Sequence, residues 1–273
     1  MIDLLSYEFL QNAILVGIMA SIVCGVIGPF IVTRRMVFIS GGLSHTAFGG
    51  LGIAYWLGIP PLVGATAFVL AAAVLVGRLE EKQLSRNDLV IGILWALGVA
   101  IGITFIHLTP GYAPDLMTFL FGNILTVPRH DVLITLALVL LVSGTVLIFY
   151  KGFVCVALDE EYARARRLPV TALKMGLMIL TALAIVTLIQ AVGILLVIAL
   201  ITIPVAIASE LALSFRRIML LSILCGIIIC LSGLALSYFI EFPSGAAIIL
   251  IGGALLGALK AGKRLSRRKR ARS

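Results

Sequence analysis

The sequence predicts an all-α, polytopic membrane protein with about nine transmembrane helices. Hydrophobic residues make up 62% of its 273 residues, and charged residues make up only 12%. Part of any soluble globule must face water, so a soluble protein of this size could not bury that much apolar surface, whereas lipid accepts it. The apolar residues also form runs that match the roughly 20 residues needed to cross about 30 Å of hydrocarbon.

Nine apolar runs satisfy this length requirement, and short connections separate them. The runs lie at residues 12–33, 36–58, 60–77, 89–107, 131–150, 171–189, 191–208, 218–240 and 243–259. The tight connections are marked by Arg34 and Arg35, Pro60 and Pro61, Gln190, and Glu241 to Ser244. The third run is short and follows its neighbour closely, so its bounds are the least sharply defined of the nine.

Basic residues predict the orientation, because cytoplasmic loops carry an excess of Lys and Arg. When the N-terminus is placed outside, 20 of the 21 Lys and Arg residues fall on the cytoplasmic side, and only Arg129 stays outside. Eight of them lie between Lys260 and Arg272, directly after the last run. The sequence therefore predicts one transmembrane domain over residues 1–260 and a basic cytoplasmic tail over residues 261–273. We attribute the net charge of +9 to a cytoplasmic face near anionic lipid and not to nucleic-acid binding.

One connection on the outer side is itself apolar. Residues 115–127 are too few to span the bilayer as a helix. We interpret this segment as a re-entrant or interfacial helix, and an apolar loop packed on the bundle is the alternative.

The second span contains an ionisable side chain that is expected near the middle of the bilayer. His45 follows Met36 by nine residues, which is about 13 Å along a helix axis. Gly41 and Gly49 lie four residues before and after it, so they share its face and let a neighbouring backbone come close, and Ser44 adds a hydroxyl beside them. His45 is then expected to point into the bundle. There it is either a transient metal ligand on a pathway or a hydrogen-bonding residue in a packed seam.

The longest inner connection, residues 151–170, contains a predicted short helix over residues 159–168. Asp159 suits an N-cap, the two glutamates after it suit the first turn, and Pro169 ends the helix. Its apolar stripe consists of Leu158, Tyr162 and Ala165. We expect a cytoplasmic helix that lies across the membrane face and docks on another protein, with a solvated helix that has no partner as the alternative.

The seventh span contains Pro204, which is expected to kink the helix and to free a backbone carbonyl. Thr202 could donate to that carbonyl. Such breaks line cavities in some membrane proteins and are only structural kinks in others, and the sequence does not separate these cases.

The acidic residues indicate where the energy for transport would come from. Proton- and ion-coupled carriers usually hold a carboxylate near the middle of the membrane. Here the acids nearest the spans lie at their ends, and they are Asp88, Asp131, Glu210 and Glu241. The chain also has no G-x-x-x-x-G-K-[ST] phosphate-binding loop. Uphill transport would therefore depend on a partner, and an intramembrane enzyme would have only His45 and Ser44 for its chemistry.

Four stretches of the chain resemble the permease subunits of metal-importing ABC transporters, the ABC-3 zinc/manganese/iron family. They are Leu43–Gly50, Leu120–Leu125, Asp159–Val170 and Leu195–Ala208. Their order and spacing match, and the resemblance covers nearly the whole chain. It implies a multi-pass transport subunit of the cell membrane that is not an enzyme. It also implies a permease dimer, most often a homodimer, two cytoplasmic ATP-binding subunits and an extracellular metal-binding protein, with the metal as substrate and no permanently bound cofactor.

The resemblance also implies roles for single residues. In the family a carboxylate stands four residues before a pathway histidine; His45 matches the histidine, and Gly41 stands at the carboxylate position. Imidazole without that hard oxygen favours Zn²⁺ as the metal, ahead of Mn²⁺ or Fe²⁺. The expected pathway and packing residues are Gly41, Ser44, Gly49 and Pro204. The expected ATPase-coupling residues are Asp159, Glu160, Tyr162, Ala163 and Arg167, of which Arg167 stands where the family usually has glycine. A permease for a metal chelate and a stand-alone secondary metal carrier are the alternative functions.

Overall fold

The structure is a computed structural model, and it describes residues 7–81, 87–110, 122 and 124–270. Every regular element in these residues is helical. The α-helices are α1 (Glu8–Thr33), α2 (Val37–Leu57), α3 (Pro61–Glu81), α4 (Asn87–Leu108), α5 (Arg129–Ile148), α6 (Tyr150–Leu158), α7 (Glu160–Ala165), α8 (Val170–Val192), α9 (Ile194–Leu211), α10 (Phe215–Ile240) and α11 (Ser244–Arg270). All except α6 and α7 are long and apolar enough to cross a membrane, which gives nine candidate spans in the described residues. The predicted fold class is confirmed.

The helix bounds follow the predicted spans, with differences at two places. The turn expected at Gln190 is wrong, because α8 continues to Val192 and the chain turns at Gly193, which has φ 83° and ψ 160°. A positive φ of this kind favours glycine. The last helix is longer than its apolar run and continues through most of the basic tail to Arg270. Lys and Arg are good helix formers, so their charges do not end the helix.

The connection at residues 151–170 is also more regular than predicted. Treating its first part as a loop is wrong, since residues 150–158 form α6 directly after a break at Phe149. The division of the chain at residue 260 and its orientation across the membrane stay predictions.

Helix α1 lies at the centre of the bundle and packs against α5, α9 and α10. Close approach to its neighbours depends on glycine. A Cβ atom at Gly28 would lie 2.6 Å from the carbonyl oxygen of Ile201, and one at Gly25 would lie 2.7 Å from the backbone nitrogen of Ile223. No side chain fits these distances, so α1 contacts α9 and α10 through its backbone.

Helix α2 lies between α3 and α4 and packs on both through glycines. A Cβ atom at Gly50 would lie 2.3 Å from the carbonyl oxygen of Gly64 on α3. On the other side, a Cβ atom at Gly52 would lie 2.4 Å from the carbonyl oxygen of Gly102 on α4. Backbone therefore lies against backbone on two sides of the helix that carries His45.

Ion pairs join the helices at one end of the bundle. There Arg34 Nη2 lies 2.6 Å from Glu80 Oε1, and Lys263 Nζ lies 2.8 Å from Glu210 Oε2. We call this the basic end, because it carries the Lys and Arg residues of the α1–α2 and α6–α8 connections. It is the end that the charge pattern predicts to be cytoplasmic.

Polar contacts also join the opposite end. Glu8 at the start of α1 pairs with Arg129 at the start of α5, and Asn12 Nδ2 donates to the carbonyl oxygen of Val127 at 3.2 Å. These contacts hold the chain that enters α5 against the first helix.

The apolar outer segment 115–127 lies largely outside the described residues. Its last part, Ile124–Thr126, is a 3₁₀ turn that packs against α1. Whether the segment is re-entrant, interfacial or a packed loop stays a prediction.

The glycine packing of α2 can be tested by a single methyl group. Gly50→Ala should lower the free energy of unfolding by about 1–3 kcal/mol, because the new Cβ would overlap the Gly64 carbonyl. Thermal unfolding in detergent would measure the effect. Gly92→Ala on α4 is the matched control, since no atom of the described residues lies within 4 Å of its added Cβ. Equal melting temperatures for the two variants would contradict the close packing.

Candidate functional site

His45 lies half-buried on α2, and one hydrogen bond fixes both the orientation of its ring and the nitrogen that carries the proton. Its Nδ1 lies 3.0 Å from the carbonyl oxygen of Gly41. Because a carbonyl oxygen only accepts, this hydrogen bond needs the proton on Nδ1. The lone pair of the neutral ring is then on Nε2, which is the nitrogen that could bind a metal.

The indole ring of Trp95 on α4 covers one face of this histidine. The ring centroids lie 4.1 Å apart with 21° between the planes, which is a stacked arrangement. Trp95 shares a face of α4 with Gly98 and Gly102, which lie three and seven residues further along and also contact α2. A Cβ atom at Gly41 would lie 3.6 Å from Trp95 Cζ3, so the indole also lies beside the position that has no side chain.

Sequence reasoning did not find Trp95. The available signal was the spacing of Trp95, Gly98 and Gly102 on one face of a mostly aliphatic helix. That pattern places tryptophan on the glycine face of α4, but it does not name the partner helix.

Two residues that the sequence predicts beside His45, Ser44 and Gly49, have other contacts in the structure. Ser44 is fully buried, and its hydroxyl donates to the carbonyl oxygen of Ser40 at 2.8 Å. At Gly49 a Cβ atom would lie 2.8 Å from a ring carbon of Phe68. Among the predicted pathway residues, only Gly41 has a hydrogen bond with His45 in the described contacts.

Pro204 lies inside α9 and is buried. The expectation that Thr202 satisfies the carbonyl freed by this proline is wrong. Proline at this position leaves the carbonyl of Leu200 without its helical donor, whereas the Thr202 hydroxyl donates to the carbonyl of Ile198 at 2.8 Å. Threonine on a helix bonds most easily to the carbonyl four residues before it, which here is Ile198.

The described residues contain no group of three or more His, Cys, Asp or Glu side chains that could hold a metal ion. His45 therefore offers one nitrogen from this part of the chain. A single ligand suits transient contact with a passing ion better than tight storage, since stable sites use three or four protein ligands.

The short helix α7 lies at the basic end. Asp159 caps it, since its Oδ1 accepts from the backbone nitrogen of Tyr162 at 2.9 Å. Ala163 is fully buried against the bundle. The predicted apolar stripe faces away from the bundle, with Leu158 63% exposed, Tyr162 51% exposed and Ala165 also exposed. The stripe therefore runs from the last residue of α6 onto α7, and the guanidinium of Arg166 covers part of it, 5.4 Å from the centroid of the Tyr162 ring.

Helix α7 ends earlier than predicted, at Ala165 and not at residue 168. Arg167 has φ 57°, a left-handed conformation that favours glycine. The backbone nitrogen of Leu168 donates to the carbonyl of Ala163 at 3.1 Å, and that of Arg167 donates to the carbonyl of Arg164 at 2.9 Å. These two bonds form a Schellman motif. The geometry explains why glycine suits position 167.

Glu160, in the first turn of α7, is tied to the bundle. Its carboxylate accepts from Arg164 Nη2 at 2.9 Å and from Lys174 Nζ at 3.1 Å. Partial burial raises the pKa of Glu160, but the hydrogen bonds and charges of these two cations outweigh it and hold the pKa below its usual value. Glu160 therefore stays ionised at neutral pH and links α7 to α8.

Comparison with known proteins places nearly all of this chain in one group. A model of the ABC 3 transport family matches residues 6–259. An uncharacterised membrane protein of Synechocystis is 44% identical over 251 residues, which is 92% of this chain and 89% of that protein. A manganese transport system membrane protein of Listeria innocua is 36% identical over 271 residues, which is 97% of this chain and 96% of that protein. A chain of the PsaBC structure from Streptococcus pneumoniae is 32% identical, with a TM-score of 0.85 over 94% of this chain and 93% of that one.

The left-handed residue at the end of α7 gives a test of this local structure. Arg167→Gly should stabilise α7 by about 0.5–1 kcal/mol, because glycine adopts this conformation without the steric cost that arginine carries. Slower amide hydrogen exchange over residues 163–168 would report it. Arg166→Gly is the control with the opposite sign, since Arg166 has φ −79°, where glycine relieves no strain. Glycine there adds freedom to the unfolded chain and removes the hydrogen bond from Arg166 Nε to the Tyr162 hydroxyl. Faster exchange in both variants would mean that position 167 is not left-handed.

Proposed function

Because the chain belongs to the ABC 3 transport family, whose members are membrane permeases and not enzymes, we propose that it carries a divalent transition metal past His45 into the cytoplasm. Its nine candidate spans are those of a multi-pass protein of the cell membrane. The observation that carries the proposal is the His45 ring. Its Nδ1 is engaged by Gly41 and one face is covered by Trp95, which leaves Nε2 for a metal.

The energy comes from separate cytoplasmic ATP-binding subunits. Two features support this source: the chain has no phosphate-binding loop of its own, and its acids lie at the ends of the predicted spans. In this proposal the basic end is cytoplasmic, and the exposed stripe of Leu158, Tyr162 and Ala165 on α6 and α7 is the surface that the ATP-binding subunit contacts. An extracellular metal-binding protein delivers the ion at the opposite end.

A second copy of the permease completes the pathway. One imidazole nitrogen is too few to replace the water that a divalent ion loses on entering the membrane. Two copies related by a twofold axis would bring two His45 side chains to the same pathway. The single nitrogen that the described residues offer thus supports a homodimer.

The metal is proposed to be Zn²⁺, because imidazole nitrogen suits zinc and Gly41 supplies no hard oxygen beside it. Mn²⁺ is the second candidate, since the relative from Listeria innocua carries manganese in its name. Metal-resolved uptake decides between them. Vesicles that hold this chain with its ATP-binding subunit and its binding protein would be given Zn²⁺, Mn²⁺ or Fe²⁺, with and without ATP.

ATP-dependent uptake of Zn²⁺ ahead of the other ions is the expected result. Preference for Mn²⁺ would keep the permease and overturn the zinc assignment. Uptake without ATP would indicate a secondary carrier, and ATP-dependent uptake of a metal chelate but of no free ion would move the substrate to that class.

The role of His45 can be separated from folding and assembly. His45→Ala should abolish metal uptake, because the pathway loses its nitrogen ligand, while binding of the ATP-binding subunit is kept. The site lies about 12 Å along α2 from its start at the basic end. His107→Ala is the matched control, since His107 is exposed near the end of α4. Uptake that survives His45→Ala would reduce His45 to a packing residue.

The partner surface has its own test. Leu158→Ala and Tyr162→Ala should each weaken capture of the ATP-binding subunit in a pull-down by roughly tenfold, because central apolar and aromatic contacts dominate such interfaces. Leu213→Ala is the control, since Leu213 is fully exposed in the α9–α10 connection at the same end. Equal capture by all three variants would move the docking surface elsewhere.

A further inference from the structure

A chain of four ion pairs crosses the basic end of the bundle. It begins at Arg164 and Glu160 on α7, whose Nη2 and Oε1 atoms lie 2.9 Å apart. Lys174 Nζ on α8 lies 3.1 Å from Glu160 Oε2 and 3.5 Å from Glu80 Oε1 on α3. Arg34 Nη2, at the end of α1, lies 2.6 Å from the same oxygen of Glu80. Cations and carboxylates therefore alternate without interruption from α7 to α1.

The inner members of this chain are shielded from water. The side chain of Arg34 is 8% exposed, that of Lys174 is 16% exposed and that of Glu80 is 19% exposed. Charges at this depth interact more strongly than surface pairs, and removal of one partner leaves the other without compensation. The position of each group is thus strongly dependent on its neighbours.

Lys174 is the central residue of this series of ion pairs. It lies between a carboxylate on α7 and a carboxylate on α3, and Glu80 in turn shares one oxygen between Lys174 and Arg34. Helix α7 has only six residues, and the one residue it buries is Ala163. The ion pair through Glu160 is therefore a large part of what attaches α7 to the bundle.

The far end of the chain is the turn that begins α2. Arg34 ends α1, Arg35 has the strained φ of 57°, and the backbone nitrogen of Met36 donates to the carbonyl of Ile31 at 2.8 Å. Helix α2 starts at the next residue, Val37, and carries His45. Only three residues, 34–36, separate α1 from α2, so a change of angle between these two helices has to be absorbed in this turn.

We propose that Glu160, Lys174, Glu80 and Arg34 are positioning residues that pass a displacement of α7 to the start of α2. The inference rests on the proposed function, in which α7 receives the motion of the ATP-binding subunit. When α7 moves, Glu160 draws Lys174, and the shared carboxylate of Glu80 shifts against Arg34. The α1–α2 turn then changes the position of the helix that holds His45.

The alternative is a static role, in which the same ion pairs only hold the fold together. The two roles differ in one measurable ratio, the metal moved per ATP hydrolysed. If the ion pairs only hold the fold together, their loss reduces the amount of assembled transporter. ATP hydrolysis and metal uptake then fall together, and the ratio is unchanged. If the ion pairs pass the displacement of α7 to α2, their loss interrupts this coupling. ATP hydrolysis then continues while metal uptake falls, so the ratio falls.

The experiment uses vesicles with the full permease, its ATP-binding subunit and its binding protein, supplied with the ion that the wild type transports. Lys174→Met removes the charge and keeps most of the length of the side chain. We expect a roughly tenfold fall in metal moved per ATP, within the usual range of coupling between sites, with the ATP-binding subunit still bound. Lys174→Arg should restore the ratio, and Lys151→Met, at an exposed lysine on α6, should leave it unchanged.

An unchanged ratio in Lys174→Met overturns the proposal, whether or not both rates decrease. If that variant does not fold, as thermal unfolding in detergent would reveal, Glu160→Gln decides in the same assay, because this residue lies nearer the surface. Failure of the wild type to move any metal is a different result, since it would overturn the proposed function itself.

Discussion

The close packing of α2 between α3 and α4 is the constraint on which the site depends. Lipid is as apolar as the side chains that it would release, so helices in a membrane gain little from burying leucine against leucine. Van der Waals contact between helices stabilises the bundle instead. This contact is closest where the facing residues have no side chain, at Gly50, Gly52, Gly64 and Gly102. Two backbones then hold α2 in register, and this register sets His45 beside Trp95.

Polar side chains in the described residues are sparse, and most of their buried atoms have a hydrogen-bond partner; the exceptions are Arg34 Nη1 and the hydroxyls of Ser143 and Ser244. Near the middle of α2, His45 uses a carbonyl of its own helix and an indole face. At the basic end, charges pair across four helices. Along the described helices, most hydroxyls bond to carbonyls of their own helix, as Ser44 and Thr202 do. A membrane interior supplies no water to complete unfinished hydrogen bonds, which explains this economy.

Much of the fold could be predicted from sequence, because apolar length and the Lys and Arg pattern are local properties. Contacts between helices are not local. Trp95 stands 50 positions after His45, and no periodicity within α2 announces it. Individual side-chain hydrogen bonds were also not predicted correctly. Thr202 donates to the carbonyl four residues before it, that of Ile198, and not to the one freed by Pro204. Only the resemblance to the family showed that arginine is unusual at position 167. The structure gives the physical reason why glycine is preferred there, which is the left-handed φ of 57°.

The length of α11 has a consequence for how the protein sits in its bilayer. Its 27 residues form a rod of about 40 Å, whereas the hydrocarbon layer is about 30 Å thick. The surplus turns must extend beyond the lipid tails, and they carry most of the basic tail on a stiff helix. Attraction to anionic headgroups would therefore act on the tilt of α11, and through Lys263 and Glu210 on α9. In that arrangement, lipid composition and ionic strength would influence the tilt of α11.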